Sequence, residues 1–513
     1  MIGESKICAV VAAESAAAMW RQLQRALSQT KTIELRLDWL ANDAEIEKFL
    51  ARLAASRRRR AARGRDVTII VTCRRREAGG RYLGTIAKQL RHLGEALRVG
   101  CQWFDLEIES ASRCPAELID VLLGEGRQIC SAHFFQRAPR DFKPVAAKLW
   151  GVRPDAIKIA AHCESLSEAR RVTAIARGRR RDAITVPMGD VALPMRVLAL
   201  RERGNFVYAP VENATAPGQA PLNEMINLYR ANRITGRTRV FGVIGNPISH
   251  SLSPQLQNAG FDARGIDALY LPFLVRDLKD FCNSIETLRM KGFSVTLPHK
   301  QAILRYLDDC DELAASIGAV NTVSVRANGK LFGYNTDYVG VLRALERRMP
   351  LRGSRVLILG AGGVARAVVF ALSRAGASVG ICARRPARAA ALARAAGAET
   401  VMRKQLGSEF FDAIVNATPV GMCPEMGRSP LEASELNCRL VFDTIYRPRV
   451  TKLMQLAARR GIETVSGVEM FLAQGIAQWE LWTGERAPEK AMRAAVLAAL
   501  GREEKSQQGR RST

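Results

Sequence analysis

The chain lacks any apolar run long enough to cross a membrane, and its start shows no basic-then-apolar pattern of a signal peptide. It also lacks a Cys-x-x-Cys pair. The eleven cysteines are scattered, so neither a zinc site nor a disulfide framework is expected, and a reducing, cytoplasmic setting fits best. Histidine is scarce, with five in 513 residues. Acidic residues are outnumbered, 50 against 77 Lys and Arg, for a net charge of +27. Such a charge admits nucleic acid as a partner. The excess, however, is arginine spread along the chain, and the clusters at Arg57–Arg60 and Arg179–Arg181 close presumed helices without interleaved aromatics. That describes a solvated surface, which also attracts small anionic substrates. A chain of this length exceeds one core, so two or three domains are expected.

The stretch that orders the second half is Arg355 to Arg388. RVLIL is a short apolar run, read as a buried parallel strand. Gly360, Ala361, Gly362, Gly363, Val364 and Ala365 follow at once, then an apolar, alanine-rich helix. Glycines here let the chain turn tightly and bring a diphosphate close to backbone N–H groups at the helix start. A second strand, Ser378 to Cys382, ends in Ala383-Arg384-Arg385, with Arg388 beyond. An acid at this tip would accept from a ribose 2′-OH, whereas arginines favour a 2′-phosphate. Strand, loop, helix, strand and basic tip in register predict NADP(H). The bland reading is a glycine turn in an α/β core with merely solvated arginines.

Residues 1–232 contain eight short apolar runs: KICAVV, IELRL, VTIIVTC, WFDLEI, QICSAH, AIKIAA, AITVPM and NFVYAP. Helical segments separate most of them. This is the pattern of a (β/α)8 TIM barrel, whose chemistry sits at the C-terminal strand ends. There the sequence offers Glu34, Arg36 and Asp38, Arg74, His133, Lys158, Arg196 and Thr215-Ala-Pro-Gly-Gln219. A lysine inside Ala156-Ile-Lys-Ile-Ala160 stands out. Burial in general favours a neutral amine, which can attack a ketone to form an imine. The alternative is a lysine that snorkels to the barrel mouth or pairs with Glu34.

Taken together these residues resemble type I 3-dehydroquinate dehydratase across essentially all of 1–230. The motifs are Glu34-Leu-Arg36-Leu-Asp38, Thr72-Cys-Arg74 before Gly79-Gly80, Ser131-Ala-His133, Ile157-Lys158-Ile159, Met188-Gly189 before Arg196, and Ala216-Pro-Gly-Gln219. The resemblance implies that Lys158 forms a Schiff base with the substrate ketone. It implies that His133 moves the proton and serves the departing water, and that Glu34, Arg36, Arg74, Arg196, Thr215 and Gln219 belong to the substrate site. Two positions depart from the family. A glutamate usually precedes the Gly-Gly pair and orients the histidine, but Ala78 stands there with Glu77 one residue earlier. Phe134 follows the histidine where Asp or Asn is usual. Either a small loop adjustment lets Glu77 substitute, or this half is slow.

Arg233 to Arg239 is short, polar and glycine-containing, and reads as a linker (233–239). A small α/β unit (240–345) then precedes the nucleotide-binding segment (346–467). Its motifs Ser251-Leu-Ser253, Val295-Thr296-Leu-Pro-His-Lys300, Gly318-Ala-Val-Asn321-Thr and Asn335-Thr-Asp337 resemble shikimate dehydrogenase. So do Val415-Asn416-Ala-Thr418-Pro-Val-Gly421-Met422, Phe442-Asp443-Thr-Ile-Tyr446, and Gly467 to Gln474, for a resemblance spanning 240–500. It implies Lys300 and Asp337 as the catalytic pair. It further implies Ser251, Ser253, Thr296, Asn321 and Gln474 at the substrate, and Asn416, Thr418, Gly421, Met422 and Gly467 on the nicotinamide side. A ketone reduced by hydride leaves an alkoxide that needs a proton; an ammonium held by a carboxylate supplies it. Ser294 stands where bacterial members often carry asparagine.

The aromatic helix from Val468 is expected to return over the substrate unit (468–501), and the polar tail 502–513 to be disordered. The expected architecture is therefore an N-terminal TIM barrel followed by a two-domain dehydrogenase with a Rossmann nucleotide-binding domain. The expected function is dehydration of 3-dehydroquinate to 3-dehydroshikimate, then reduction to shikimate with NADP(H), without a metal, membrane or nucleic-acid partner. The alternative is a shikimate or quinate/shikimate dehydrogenase, using NADP or NAD, with a weak or inactive barrel. The sequence sets no oligomeric state.

Overall fold

The structure is a computed structural model that describes residues 2, 5–60, 67–176, 182–202, 205–212, 214–216 and 218–511, without the side chains of 57–60, 116 and 505–511. Arg179–Arg181 and Pro217 lie outside the described residues. The chain forms two compact units, Met1–Thr238 with Phe273–Ser284, and Arg239–Pro272 with Ile285–Thr513. Among the described residues no helix is long and apolar enough to cross a membrane.

Each of the eight apolar runs of the first unit is a strand: β1 (Ile7–Val11), β2 (Thr32–Arg36), β3 (Thr68–Thr72), β4 (Trp103–Glu107), β5 (Arg127–Phe134), β6 (Ala156–His162), β7 (Asp182–Met188) and β8 (Val207–Pro210). The sheet order is β7-β6-β5-β4-β3-β2-β1-β8, with the described ladders parallel, so β7 and β8 are the two ends of a nearly closed cylinder. Side chains alternate across each strand. Alternate residues Glu34 and Arg36, Thr72 and Arg74, Asp105 and Glu107, Ser131 and His133 therefore share a face at successive strand ends, with Lys158 opposite Ser131 in register. Three of the helices between strands start on side-chain caps: Ser15 accepts from the Ala18 N–H, Thr85 from Lys88 and Ser165 from Glu168.

The second unit holds two six-stranded sheets. The first contains β9 (Arg239–Gly245), β10 (Ala268–Leu274), β11 (Met290–Val295), β12 (Asp309–Cys310), β13 (Thr322–Val325) and β14 (Leu331–Tyr334), in the order β10-β9-β11-β13-β14-β12. The second contains β15 (Arg355–Leu359), β16 (Ser378–Cys382), β17 (Glu399–Thr400), β18 (Phe411–Asn416), β19 (Cys438–Asp443) and β20 (Glu463–Ser466). Its order, β17-β16-β15-β18-β19-β20, is parallel throughout and is that of a dinucleotide-binding sheet with its switch point between β15 and β18. Ala365, Ala367 and Ala371 are fully buried on the helix Gly363–Arg374. Their small side chains let that helix lie close to the sheet.

The helix Gly467–Thr483 returns to the first sheet of its unit. Trp482 packs on Phe241 and Tyr270 at 5.4 and 5.9 Å, and Trp479 on Phe261 at 6.1 Å. Glycines make room for it: a Cβ at Gly292 would sit 2.4 Å from Trp482 Nε1, and one at Gly260 2.6 Å from Trp479 Nε1. The final helix runs Glu489–Arg511, so the tail expected to be disordered continues a helix almost to the end of the chain.

Candidate active sites

Lys158 occupies the middle of β6, buried to 5 % exposure. Its Nζ donates to Asp105 Oδ2 at 2.9 Å and to Glu34 Oε1 at 3.5 Å. Glu34 was the partner anticipated for it; the closer one is Asp105, on β4. Asp105 Oδ2 also accepts from Arg74 Nη2 at 3.0 Å, and Oδ1 accepts from Ser131 Oγ at 2.6 Å. Burial alone would oppose ionisation of Asp105, but Lys158 and Arg74 outweigh it and hold its carboxyl well below the usual range. Glu34 accepts in addition from Thr72 Oγ1 at 2.8 Å. Arg36 forms a bidentate pair with Asp38, at 2.9 and 2.8 Å, that fixes its guanidinium plane.

His133 stands at the C-terminal end of β5. Enclosure of its ring pushes the imidazole well below its ordinary value, and the positive charges of Arg74 and Lys158 add to this. The ring stays neutral at physiological pH, the form that accepts a proton. Its Nδ1 has no hydrogen-bond partner. Glu77 does not supply one: it lies in the turn Arg76–Ala78, exposed, paired with Arg75 at 3.0 Å and Arg113 at 3.7 Å. The loop adjustment, one of the two alternatives the sequence left open, is therefore absent. Instead Phe135 stacks on the His133 ring (5.8 Å, 16°) and covers Gly79, where a Cβ would lie 2.1 Å from the Phe135 ring. Phe134 faces away, edge-on to Phe142.

Arg196 is buried to 4 % exposure, and both terminal nitrogens lack a partner. Burial lowers its guanidinium to about 10. A buried cation without a counter-charge is costly, so this one is a ready binding point for an anion. Gly218 (φ +75°) meets the Gly189 turn so closely that a Cβ would sit 2.3 Å from the Gly189 carbonyl oxygen. That contact seats the loop carrying Thr215 and Gln219 against the turn leading to Arg196. Gln219 Oε1 accepts from the Thr215 N–H at 2.8 Å and lies 3.2 Å from Thr215 Oγ1.

In the second unit Lys300 Nζ donates to Asp337 Oδ2 at 2.5 Å. Asn321 Nδ2 donates to Asp337 Oδ1 at 2.8 Å and to Thr336 Oγ1 at 3.0 Å, so the carboxylate is held from both sides. The Lys300 stem passes the first residue of the helix Gly363–Arg374, 3.3 Å from where a Gly363 Cβ would be. Gln474 lies beside Gly340, one turn past Asp337, and Thr296 packs over Gly245. Ser251 and Ser253 are held by the hydroxyls of Tyr446 and Tyr270, respectively. Tyr270 also contacts Ser294 at 2.5 Å, and Ser294 donates to Gln478 Oε1 at 2.6 Å. Ser294 thus fills its position as a relay to the returning helix.

Gly360 (φ +110°) and Gly362 shape the loop before the helix Gly363–Arg374. A Cβ at Gly360 would lie 3.1 Å from the Ala417 carbonyl oxygen, which brings the segment Asn416–Met422 to the loop. Asn416 Oδ1 accepts from the Thr418 N–H and hydroxyl, and Asn416 Nδ2 donates to Asp443 at 3.1 Å. Gly421 takes φ +96°, and Gly467 sits where a Cβ would collide with the Thr444 carbonyl oxygen at 2.4 Å. Arg384, Arg385 and Arg388 are exposed beyond β16 and have no acidic partner among the described residues. An open cradle at Gly362, a helix N-terminus and unpaired arginines fit a dinucleotide with a 2′-phosphate. Among the described residues no group of His, Cys, Asp and Glu is placed to hold a metal.

The sequence reading passed over Asp105, Glu107, Tyr208 and Gln478, and gave Tyr446 no role although it stands in a matched motif. Alternating acids inside the apolar run WFDLEI were the available signal for the first two.

Burial pushes Asp443 up to about 6, despite the hydroxyl of Thr451 and the amide of Asn416 that it accepts from. With a raised folded value, the proton is held by the folded chain and released by the unfolded one. This stabilisation is full below about pH 4 and is lost as pH rises through about 6, a change of about 3 kcal/mol. Asp443→Asn should flatten that slope when denaturation midpoints of the second unit are compared from pH 4.5 to 7.5.

The geometry agrees with what is known of other proteins. Residues 7–235 match the family model for type I 3-dehydroquinase and 243–323 that for the shikimate dehydrogenase substrate binding domain. Residues 355–445 match the model for NADP oxidoreductase, coenzyme F420-dependent, and 467–497 that for the shikimate 5′-dehydrogenase C-terminal domain. A shikimate dehydrogenase (NADP(+)) of Methanothermobacter thermautotrophicus is 41% identical over 283 residues, covering 53% of this chain and all of that protein. A solved shikimate dehydrogenase in complex with NADP+ superposes with a TM-score of 0.50 at 35% identity, covering 52% of this chain and 97% of that one. The chloroplastic bifunctional 3-dehydroquinate dehydratase/shikimate dehydrogenase of Arabidopsis thaliana is 32% identical over 510 residues, covering 95% of this chain and 83% of that protein. With both units matched in one alignment and in the same order, the chain belongs to the family of bifunctional 3-dehydroquinate dehydratase/shikimate dehydrogenases.

Proposed function

We propose that the first unit dehydrates 3-dehydroquinate to 3-dehydroshikimate and that the second reduces this ketone to shikimate with NADPH. The observation that carries the reading is two lysines, one in each unit, each held by a carboxylate at a site the family motifs mark: buried Lys158 by Asp105 and half-buried Lys300 by Asp337. In the first unit Lys158 attacks the ketone, and carbonyl oxygen leaves as water. The protonated imine acidifies the adjacent carbon, neutral His133 takes the proton, and the hydroxyl then departs as water with a proton returned by His133; a water molecule then adds to the imine carbon, the C–N bond breaks, and 3-dehydroshikimate leaves with Lys158 restored as the amine. Arg196 receives the substrate carboxylate, which supplies the anion its buried guanidinium lacks. Arg36, Arg74, Glu34, Thr215 and Gln219 order the remaining hydroxyls.

In the second unit, Gly360–Ala365 with Ala383, Arg384, Arg385 and Arg388 would hold NADPH, which when bound would supply the hydride. Lys300 gives its proton to the new alkoxide, and Asp337 with Asn321 keeps the ammonium aimed. Ser251, Ser253, Thr296, Asn321 and Gln474 hold the cyclohexene acid, while Asn416, Thr418, Gly421, Met422 and Gly467 line the nicotinamide. We assign residues 1–232, 240–345 and 346–467 to barrel, substrate and nucleotide-binding domains, with 468–501 closing the substrate domain. A cytoplasmic setting is supported by eleven free cysteines.

A second reading, a working reductase with a slow barrel, is favoured by the outward Glu77 and the unpartnered Nδ1 of His133. One set of assays decides. Lys158→Ala should abolish conversion of 3-dehydroquinate without nicotinamide and leave reduction of 3-dehydroshikimate intact. Lys300→Ala should do the reverse, with a loss of about 100- to 10,000-fold in reduction. No cofactor-independent turnover by the unsubstituted chain would leave only the reductase. Replacing Arg384, Arg385 and Arg388 together by serine should raise KM for NADPH at least about 10-fold and leave KM for NADH nearly unchanged, as loss of charge-assisted phosphate contacts requires; equal effects on both would remove the 2′-phosphate assignment.

A further inference from the structure

The Lys158 nitrogen has a third neighbour that none of the motifs marks. It lies 4.1 Å from the centroid of the Tyr208 ring, over its face. Tyr208 is on β8, in register beside Cys8 of β1, and is 4 % exposed. Phe206, immediately before that strand, braces its ring edge-on at 5.0 Å. Its hydroxyl is sealed from solvent and makes no hydrogen bond. Burial, with Glu34, Cys8 and Asp105 nearby, keeps the phenol protonated. The hydroxyl therefore brings no charge to the site, and the ring face is what Lys158 meets.

We propose that the face of Tyr208 is the contact that carries the positive charge of Lys158 through imine formation, making Tyr208 a positioning residue for the dehydration. The proposal rests on the reading that Lys158 condenses with the substrate ketone. As an ammonium, Lys158 has three N–H donors, enough for Asp105 and Glu34 together. When it condenses with a ketone, a C–N double bond replaces C=O, and two of those hydrogens leave in the water with the carbonyl oxygen. The cationic imine keeps one N–H. It can no longer serve both carboxylates, although its charge is undiminished. A ring quadrupole attracts charge and needs no donor, so the Tyr208 contact survives the step that breaks a hydrogen bond. It thereby favours the cationic imine, the species that acidifies the neighbouring carbon.

The test replaces Tyr208 by phenylalanine, by leucine, and by phenylalanines of increasing ring fluorination, which withdraw the face charge while keeping the shape. Dehydration of 3-dehydroquinate is followed without nicotinamide, and borohydride trapping with peptide mass analysis reads the adduct on Lys158. Tyr208→Phe should stay within about 3-fold of the unsubstituted kcat. Tyr208→Leu should lose about 5- to 30-fold in kcat with KM little changed. The fluorinated series should fall stepwise in kcat, a trend that a purely structural role does not produce and that does not depend on the leucine variant folding. A flat series, or a phenylalanine variant as slow as leucine, overturns the role of the face. Absence of any adduct in the unsubstituted chain overturns the imine reading itself, and the proposal with it; an adduct there with a flat series overturns only the assignment of Tyr208.

Discussion

Most of the first unit is arranged to keep one ammonium group out of water. A lysine inside a barrel is tolerable only when opposite charge and hydrogen-bond acceptors reach it, because an unpaired buried ion costs several kcal/mol. Asp105 answers Lys158 and Arg74 at once, and Ser131 fills its second oxygen. Glu34 takes what remains of the lysine and is itself held by Thr72. Five strands contribute to this network, β2 through β6, with Arg74 immediately beyond β3. None of the five can move relative to its neighbours without breaking a hydrogen bond or an ion pair, so the arrangement that stabilises buried Lys158 also fixes where Arg74 points.

The second unit uses the same device with fewer parts. Lys300 and Asp337 are bound at 2.5 Å, and a single amide, Asn321, locks the carboxylate's other oxygen. The lysine is less deeply enclosed, and its stem passes the first glycine of the nucleotide helix. A proton donor to an alkoxide needs access to substrate and cofactor together, whereas a nucleophile that becomes covalently attached benefits from enclosure. The two environments differ as the tasks proposed for the two lysines do.

Much of this was legible in the chain itself. Eight apolar runs became eight strands because parallel barrel strands are buried on both faces and read as continuous apolar segments. The glycine loop and the arginines after β16 mark the nucleotide site because only glycine accepts the φ of Gly360. Asp105 was hidden for the same reason that the strands were visible: inside WFDLEI it looks like a stray acid in an apolar run, and only the pairing of β4 with its neighbours brings it to Lys158. Tyr208 likewise reads as an ordinary β-strand aromatic. Glu77 reads as a substitute for a missing carboxylate, but the left-handed turn at Gly79 and the ring of Phe135 leave no inward path for it.

The most direct measurement is the cofactor-independent dehydration rate of Asp105→Asn, with NADPH-dependent reduction of 3-dehydroshikimate as the internal control. A fall of at least about 100-fold in dehydration is expected, because the amide leaves the charges of Lys158 and Arg74 unanswered and the lysine no longer held for attack, with reduction unchanged. Dehydration at the unsubstituted rate would contradict it.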